Sequence, residues 1–192
     1  ASPVNMTLNH VVNSITNTVD IVVTVTAPAV WNPSNTVMQL AMIERNITFT
    51  SAPGSNGETV FHNVMRKMIP SPTGTAVVAS NFNAANGTQT FTFTGVTIPS
   101  YVYNLNEIGF VAWVQNNTTK EVYQAGYSAP IPLPNYGVVA SVNTALYSCG
   151  TSMTGAVAVL NNNGANTITS ATVNYKIDNG TVQTAPFNGN LT

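Results

Sequence analysis

Several short segments of the chain alternate between apolar and polar side chains, and this period of two constrains the fold more than any other feature. In residues 20–26, Ile21, Val23 and Val25 share one face. In residues 88–94, two phenylalanines face one way and threonines face the other. Successive side chains of a strand point to opposite sides of a sheet. The pattern therefore predicts strands with one buried and one solvated face.

Asn-Gly pairs separate these segments. Both residues tolerate the positive φ angles that tight hairpin turns require. The clearest predicted hairpin joins residues 172–177 to 181–187. Short strands separated by such turns predict an all-β chain built as an antiparallel β-sandwich. The pairs occur at Asn56-Gly57, Asn86-Gly87, Asn163-Gly164, Asn179-Gly180 and Asn188-Gly189.

Two segments fit a helix as well as a strand. For residues 37–45 a strand is favoured, because the segment continues into a clear strand and puts Met38, Leu40 and Met42 on one face. Residues 58–68 stay open between the two alternatives. In the strand alternative, one mixed face carries Phe61, Met65 and Lys67.

Charged residues are scarce, and this excludes several classes of function. Only 6% of the 192 residues are charged, against roughly 25% in typical soluble domains. Five basic residues cannot cover a series of phosphates, so we expect no nucleic-acid partner and no anionic membrane surface. No apolar run approaches the roughly 18 residues that cross a bilayer, so we expect no membrane insertion.

Alternating prolines mark a boundary in residues 129–136. Prolines cannot join a central strand ladder and favour a stiff, extended connector. We therefore predict a first domain at 1–128, a linker at 129–136 and a second β domain at 137–192. The second domain has sequence for about four strands, fewer than the roughly seven of a sandwich. We expect it to be short or truncated, and completed by a partner, a neighbouring copy or sequence beyond residue 192.

The central part of the chain resembles a known family. It carries VMQLAMIERNITF at 37–49, GETVFHNVMRKMIP at 57–70, GFVAWVQ at 109–115 and KEVYQA at 120–125. This order resembles the Omp28-related outer-membrane and secreted proteins of Bacteroidota, over about residues 1–130. The remainder, with VAVLNN at 157–162 and ITSATVNYKID at 168–178, is similar to immunoglobulin-like modules of proteins exported by type IX secretion.

The resemblance implies location more than mechanism. It implies an extracellular or cell-surface protein, in which a thioredoxin-like domain often precedes this region and a sorting domain follows it. No Cys-x-x-Cys pair occurs here, so redox activity does not carry over. Cys149 is the single cysteine, and we expect it to be structural, with any disulfide partner absent from this chain.

Catalytic and metal-binding groups are difficult to assemble from this sequence. Glu58, His62 and Arg66 have a spacing that places them on one face, yet no nucleophile or second carboxylate lies nearby. We therefore expect no enzyme activity. The acidic residues are scattered, so we expect neither a metal nor a cofactor. They are Asp20, Glu44, Glu58, Glu107, Glu121 and Asp178.

The aromatic residues suggest a second function. Trp31 stands between prolines and is the candidate for an exposed, ligand-stacking ring. Trp113 lies within an apolar run and is expected to pack in the core. The leading interpretation is a non-catalytic scaffold, spacer or contact module whose partners are other protein chains or domains of the same secreted protein. The alternative is an adhesin-like module that binds carbohydrates or surfaces, with glycans as partners.

Overall fold

The chain is almost entirely β-structure. The computed structural model describes residues 2–143 and 156–192. Two short 3-10 helices cover Ala79–Phe82 and Leu105–Glu107, and no α-helix occurs in these two ranges. The predicted all-β fold class is confirmed. The strands are β1 (Asn5–Asn13), β2 (Thr18–Ala27), β3 (Thr36–Thr48), β4 (Val60–Ile69), β5 (Thr75–Ala76), β6 (Gly87–Thr97), β7 (Ile108–Asn116), β8 (Val122–Ser128), β9 (Gly137–Asn143), β10 (Val157–Asn162), β11 (Ile168–Tyr175) and β12 (Gln183–Leu191).

The chain divides into two compact units, Ala1–Ile131 and Pro132–Thr192. The first unit contains two antiparallel sheets. One sheet has the strand order β1-β2-β6, and the other has the order β4-β3-β7-β8, with β5 pairing with β3. In the sequence, the boundary between the two units falls within the proline-rich stretch 129–136. The domain limits at 128 and 137 stay a prediction.

The core of the first unit lies between its two sheets. On β2, the alternating residues Ile21, Val23 and Val25 are fully buried, as the period of two predicted. On β3, Met38, Leu40 and Met42 form the opposing row. Phe110, Ala112 and Val114 of β7 extend this row. Phe91 of β6, in the other sheet, belongs to the same core cluster. Alternation on facing strands thus builds one continuous apolar layer.

Within residues 58–68, the part from Val60 onward is a strand and no part is a helix, which decides between the two alternatives. Strand β4 begins at Val60 and pairs with β3, but the register shifts between Met42 and Ile43. Met42 pairs with Lys67 and Ile43 pairs with Met65, so Arg66 is an extra residue, a β-bulge. The bulge puts Lys67 on the opposite side of the sheet from Met65. The predicted mixed face that joins these two residues is therefore wrong.

The described part of the second unit consists of two separate pairs of antiparallel strands, β9 with β10 and β11 with β12. The predicted hairpin is present, because Tyr175 pairs with Gln183 across a turn closed by Gly180. Leu133 is the one buried residue among the described residues of this unit, and most valines on its strands are exposed. Cys149 lies outside the described residues.

Hydrogen exchange should distinguish the two units. We expect the amides of β10 and β11 to exchange about 100-fold faster or more than those of β2 and β6, because two-stranded ladders without a buried face open easily. Mass-spectrometric exchange on the whole chain measures both sets in one sample. Equal protection of the two units would contradict the expectation.

One buried histidine lies at the margin of the first core. His10 of β1 is 3% exposed, and its Nδ1 lies 2.8 Å from Ser128 Oγ on β8. Its ring packs against Phe110, with 4.8 Å between ring centroids. The Nε2 atom is buried without a hydrogen-bond partner among the described residues. Burial lowers the pKa of His10 below its ordinary value of 6.5, because the charged form would lose its hydration.

This lowered pKa predicts a loss of stability in mild acid. Below about pH 6.5 the unfolded chain binds a proton at His10 that the folded chain does not, so the free energy of unfolding falls as the pH falls. The slope approaches about 1.4 kcal/mol per pH unit and ends below the folded-state pKa. Urea unfolding between pH 7.5 and 5.5 measures it. His10→Asn should remove the slope, and His62→Gln, at an exposed histidine, should keep it.

Candidate functional site

The outward side of the five-stranded sheet is apolar, although it lies outside the sandwich core. Residues that pair across antiparallel strands point to the same side of a sheet. Ala41 pairs with Met68 on β4 and with Val111 on β7. Val111 in turn pairs with Tyr127 on β8. One row of apolar side chains therefore crosses four strands.

Neighbouring rows extend this surface. Ile43 pairs with Met65, and Trp113 lies between Gln39 and Ala125. Because the bulge at β4 turns both methionines outward, they lie on the same side although they are three residues apart. Ala41 and Ile43 are buried under their neighbours but do not belong to the core cluster. We call this surface the outer face; it comprises Ala41, Ile43, Met65, Met68, Val111, Trp113 and Tyr127.

Trp113 lies on the outer face, so the expectation that it packs in the core is wrong. Its neighbours Ala112 and Val114 belong to the core cluster, whereas Trp113 is half-buried and does not. Strand alternation is the physical reason, since adjacent residues cannot share a face. The indole Nε1 donates to Gln115 Oε1 at 2.7 Å, which fixes the orientation of the ring.

The Tyr127 ring packs close to Gly109 of the neighbouring strand β7, where the absence of a side chain leaves room for it. A Cβ atom at Gly109 would lie 3.3 Å from Tyr127 Cε2 and 3.2 Å from Pro130 Cδ. The tyrosine is nevertheless 51% exposed, and Met65 is 59% exposed. Contiguous apolar patches with exposed aromatic and methionine side chains are typical of protein contact surfaces.

A second surface lies at one end of the sandwich, where a buried carboxylate holds a loop. Glu44 continues the inward row of β3 and is fully buried. Its Oε1 accepts from the backbone N–H groups of Tyr103 at 3.0 Å and Asn104 at 2.7 Å. Its Oε2 accepts from Arg66 Nε at 2.8 Å and lies 2.7 Å from Arg66 Nη2. Glu44 therefore fixes the loop between β6 and β7 to the sheet.

Aromatic rings surround this ion pair. The Arg66 guanidinium lies 5.2 Å from the ring centroid of Tyr103 and 5.9 Å from that of Tyr101. Tyr101 Oη also donates to the backbone oxygen of Arg66 at 2.7 Å. Phe49 packs edge-on against Tyr103 at 5.1 Å and against Phe61 at 5.9 Å. We call Phe49, Phe61, Tyr101 and Tyr103 the loop-end cluster.

Three polar side chains form a chain of hydrogen bonds: Asn46 of β3, His62 of β4 and Glu107 of the 3-10 helix before β7. Asn46 Nδ2 donates to Glu107 Oε2 at 2.9 Å, and Asn46 Oδ1 lies 2.9 Å from His62 Nδ1. Because an amide oxygen only accepts, His62 Nδ1 must carry the proton. In the neutral ring this leaves His62 Nε2 as an acceptor. Neither that atom nor Glu107 Oε1 has a hydrogen-bond partner among the described residues.

The structure separates the three residues whose spacing suggested a site. Glu58 precedes β4 and accepts from Asn56, His62 contacts Asn46, and Arg66 pairs with Glu44. No hydrogen bond or ion pair joins any two of Glu58, His62 and Arg66. The pairing of Arg66 with Glu44 joins residues 22 positions apart on neighbouring strands. The spacing within one strand gave no signal for it.

The Trp31 side chain is partly buried, whereas the sequence predicts an exposed ring. Its ring packs edge-on against Phe82 at 5.2 Å and Tyr123 at 5.6 Å, at the margin of the core. The part that stays exposed borders an open depression of about 380 Å³. Ligand binding by Trp31 stays a prediction. The depression is lined by Val30, Trp31, Asn32, Ala79, Ser80 and Asn83.

In residues 2–143 and 156–192, no three His, Cys, Asp or Glu side chains come together in a way that could hold a metal ion. The same two ranges contain no helix that is long and apolar enough to cross a membrane.

Comparison with known proteins gives a likeness of fold. No family model and no curated protein matches the chain. The chain is similar in structure to HBP35 of Porphyromonas gingivalis, with 11% sequence identity and a TM-score of 0.50 over 96% of this chain and 63% of that one. It thus spans less than two thirds of the length of HBP35.

A domain of the outer membrane lipoprotein Omp28 from Porphyromonas gingivalis is also similar. That comparison has 15% identity and a TM-score of 0.44, and covers 67% of this chain and 88% of that domain. At the low identity to HBP35, the likeness shows the all-β fold alone. Membership of the Omp28-related family stays a prediction.

Proposed function

We propose that this chain is a non-catalytic module of a secreted or cell-surface bacterial protein and that it contacts another protein chain or domain through the outer face. The observation that carries the proposal is an apolar row across four strands on the solvent side of a sheet. Burial of such an apolar surface against a partner removes it from water and stabilises the complex. The location outside the cell is supported by the resemblance of residues 1–130 to Omp28-related outer-membrane and secreted proteins.

Trp113 and Tyr127 are the proposed anchors of the contact. Aromatic residues in well-packed surroundings contribute a large share of the binding energy of protein interfaces. The indole of Trp113 is held by Gln115, and Tyr127 is held against β7 at Gly109. Because both rings are already fixed, binding costs little side-chain entropy. This arrangement suits a scaffold or spacer that joins neighbouring parts of one secreted protein.

Site-specific photocrosslinking on intact cells that express the parent protein tests the contact. A photoreactive residue at Tyr127 should give a protein adduct, and Trp113→Ala should abolish it. In the matched control, the photoreactive residue replaces Val22, which is exposed on the outward side of the other sheet. The proposal fails if Tyr127 gives no protein adduct, or if Val22 gives the same one.

The proposal also predicts that the chain is inert as an enzyme. Protease, glycosidase, esterase and disulfide-reductase substrates should all show no turnover, because Glu58, His62 and Arg66 each have a separate structural partner. Cys149→Ser should change no activity. Turnover that disappears in Glu58→Gln or His62→Ala would contradict this prediction.

A further inference from the structure

The loop-end cluster is separate from the outer face and has a different chemistry. Tyr103 is 63% exposed and Tyr101 is 55% exposed, although both belong to an ordered network. We infer that this cluster is a carbohydrate-binding site. The Tyr103 ring would stack on the apolar face of a pyranose, and His62 Nε2 and Glu107 Oε1 would accept hydrogen bonds from its hydroxyl groups.

The Tyr103 ring is fixed before any ligand binds. Its backbone N–H is bound to Glu44, one neighbour of its ring is the Arg66 guanidinium, and another is Phe49. A ring held on two sides yet largely exposed offers a flat surface at little cost in conformational entropy. Sugars present C–H groups on one side of the ring, and such a surface complements an aromatic face.

The polar neighbours of the cluster favour a ligand that donates several hydrogen bonds. Glu107 and His62 are joined through Asn46, which uses one oxygen of the carboxylate and one nitrogen of the imidazole. The positions left over, Glu107 Oε1 and His62 Nε2, both accept. Adjacent hydroxyl groups of a sugar supply O–H donors at short spacing, so they can satisfy both acceptors.

Anionic ligands fit this site poorly. Arg66 is the cation inside the cluster, but its charge is neutralised by Glu44 and its side chain is 12% exposed. The Glu107 carboxylate would repel a phosphate or a carboxylate that approached Tyr103. A neutral ligand with an apolar face and many hydroxyl groups is the chemistry that remains.

A glycan array screened with the whole chain, followed by calorimetric titration of the glycans retained, tests the site. Tyr103→Ala should weaken binding by about tenfold or more, because it removes the ring on which the sugar would stack. Tyr103→Phe should bind like the wild type, because it keeps the stacking surface. His62→Ala should also weaken binding. Trp31→Ala should leave the affinity within about twofold, because Trp31 is packed elsewhere against Phe82.

Tyr103→Ala should fold normally, because Glu44 holds residue 103 by its backbone N–H group. Chemical unfolding of each variant verifies this. No glycan retained on the array overturns the inference, as does full binding by Tyr103→Ala. If binding is lost in Trp31→Ala alone, the sugar site lies at the Trp31 depression and the inference is overturned. If Tyr103→Ala instead abolishes binding of a protein, the cluster is a protein contact and the inference is overturned as well. The contact at Tyr127 is measured separately, so either result can fail alone.

Discussion

Glu44→Gln should lower the free energy of unfolding by about 3 kcal/mol, because removal of one partner leaves the Arg66 charge uncompensated in a largely buried position. The same substitution weakens the acceptor that holds the backbone N–H groups of Tyr103 and Asn104. Urea unfolding at neutral pH measures the change. We place the effect at the lower end of the range for buried pairs because Arg66 retains some contact with solvent.

The matched control is Glu121→Gln, at an exposed carboxylate in the connection between β7 and β8. Its side chain has no hydrogen-bond partner among the described residues, so we expect a change within about 0.5 kcal/mol. Equal losses in Glu44→Gln and Glu121→Gln would show that the buried pair does not fix the loop.

Phe110→Ala should cost about 4 kcal/mol, since it removes a fully buried ring from the centre of the core and leaves a cavity. Trp113→Ala removes a larger side chain three positions along the same strand, yet it should cost less. The indole is half-buried on the outer face, where its loss opens no enclosed cavity. Unfolding curves of the two variants, recorded under the same conditions, give the comparison.

The relative size of these two losses in the free energy of unfolding shows whether the outer face belongs to the folding core. If Trp113→Ala destabilises the chain as much as Phe110→Ala, then the outer face is part of the folding core and not a surface held ready for a partner. A smaller loss in Trp113→Ala, together with loss of the crosslink at Tyr127, would separate the role in binding from the role in folding.

Alternation predicted the inward rows correctly where one side of the strand is polar. The buried residues Ile21, Val23 and Val25 of β2 follow it, and so does the row that begins at Met38. The rule gave less information on β7, because both sides of that strand are apolar. An unbroken apolar run conceals which residue points inward, so the pattern wrongly predicts Trp113 in the core.

The loop-end cluster could not be predicted from local pattern. Glu44 shares the parity of Met42, which marks it as a carboxylate on an inward row, but its partners come from distant segments. The Arg66 side chain and the backbone of Tyr103 reach it only because β4 and the loop after β6 meet at the same end of the sandwich. Long-range pairing of this kind depends on topology and leaves no periodic signal.

The extra residue in β4 has a consequence for how the two surfaces can evolve. Arg66 is inserted between two regularly paired segments, and its guanidinium lies against Glu44. Deletion of this one position would join the segments into a regular ladder in which Lys67 still pairs with Met42 and Met68 still pairs with Ala41. The outer face would therefore persist, whereas the loop-end cluster would lose the cation that pairs with its buried carboxylate. A lineage can thus lose the support of the sugar site at this single position and keep its contact surface.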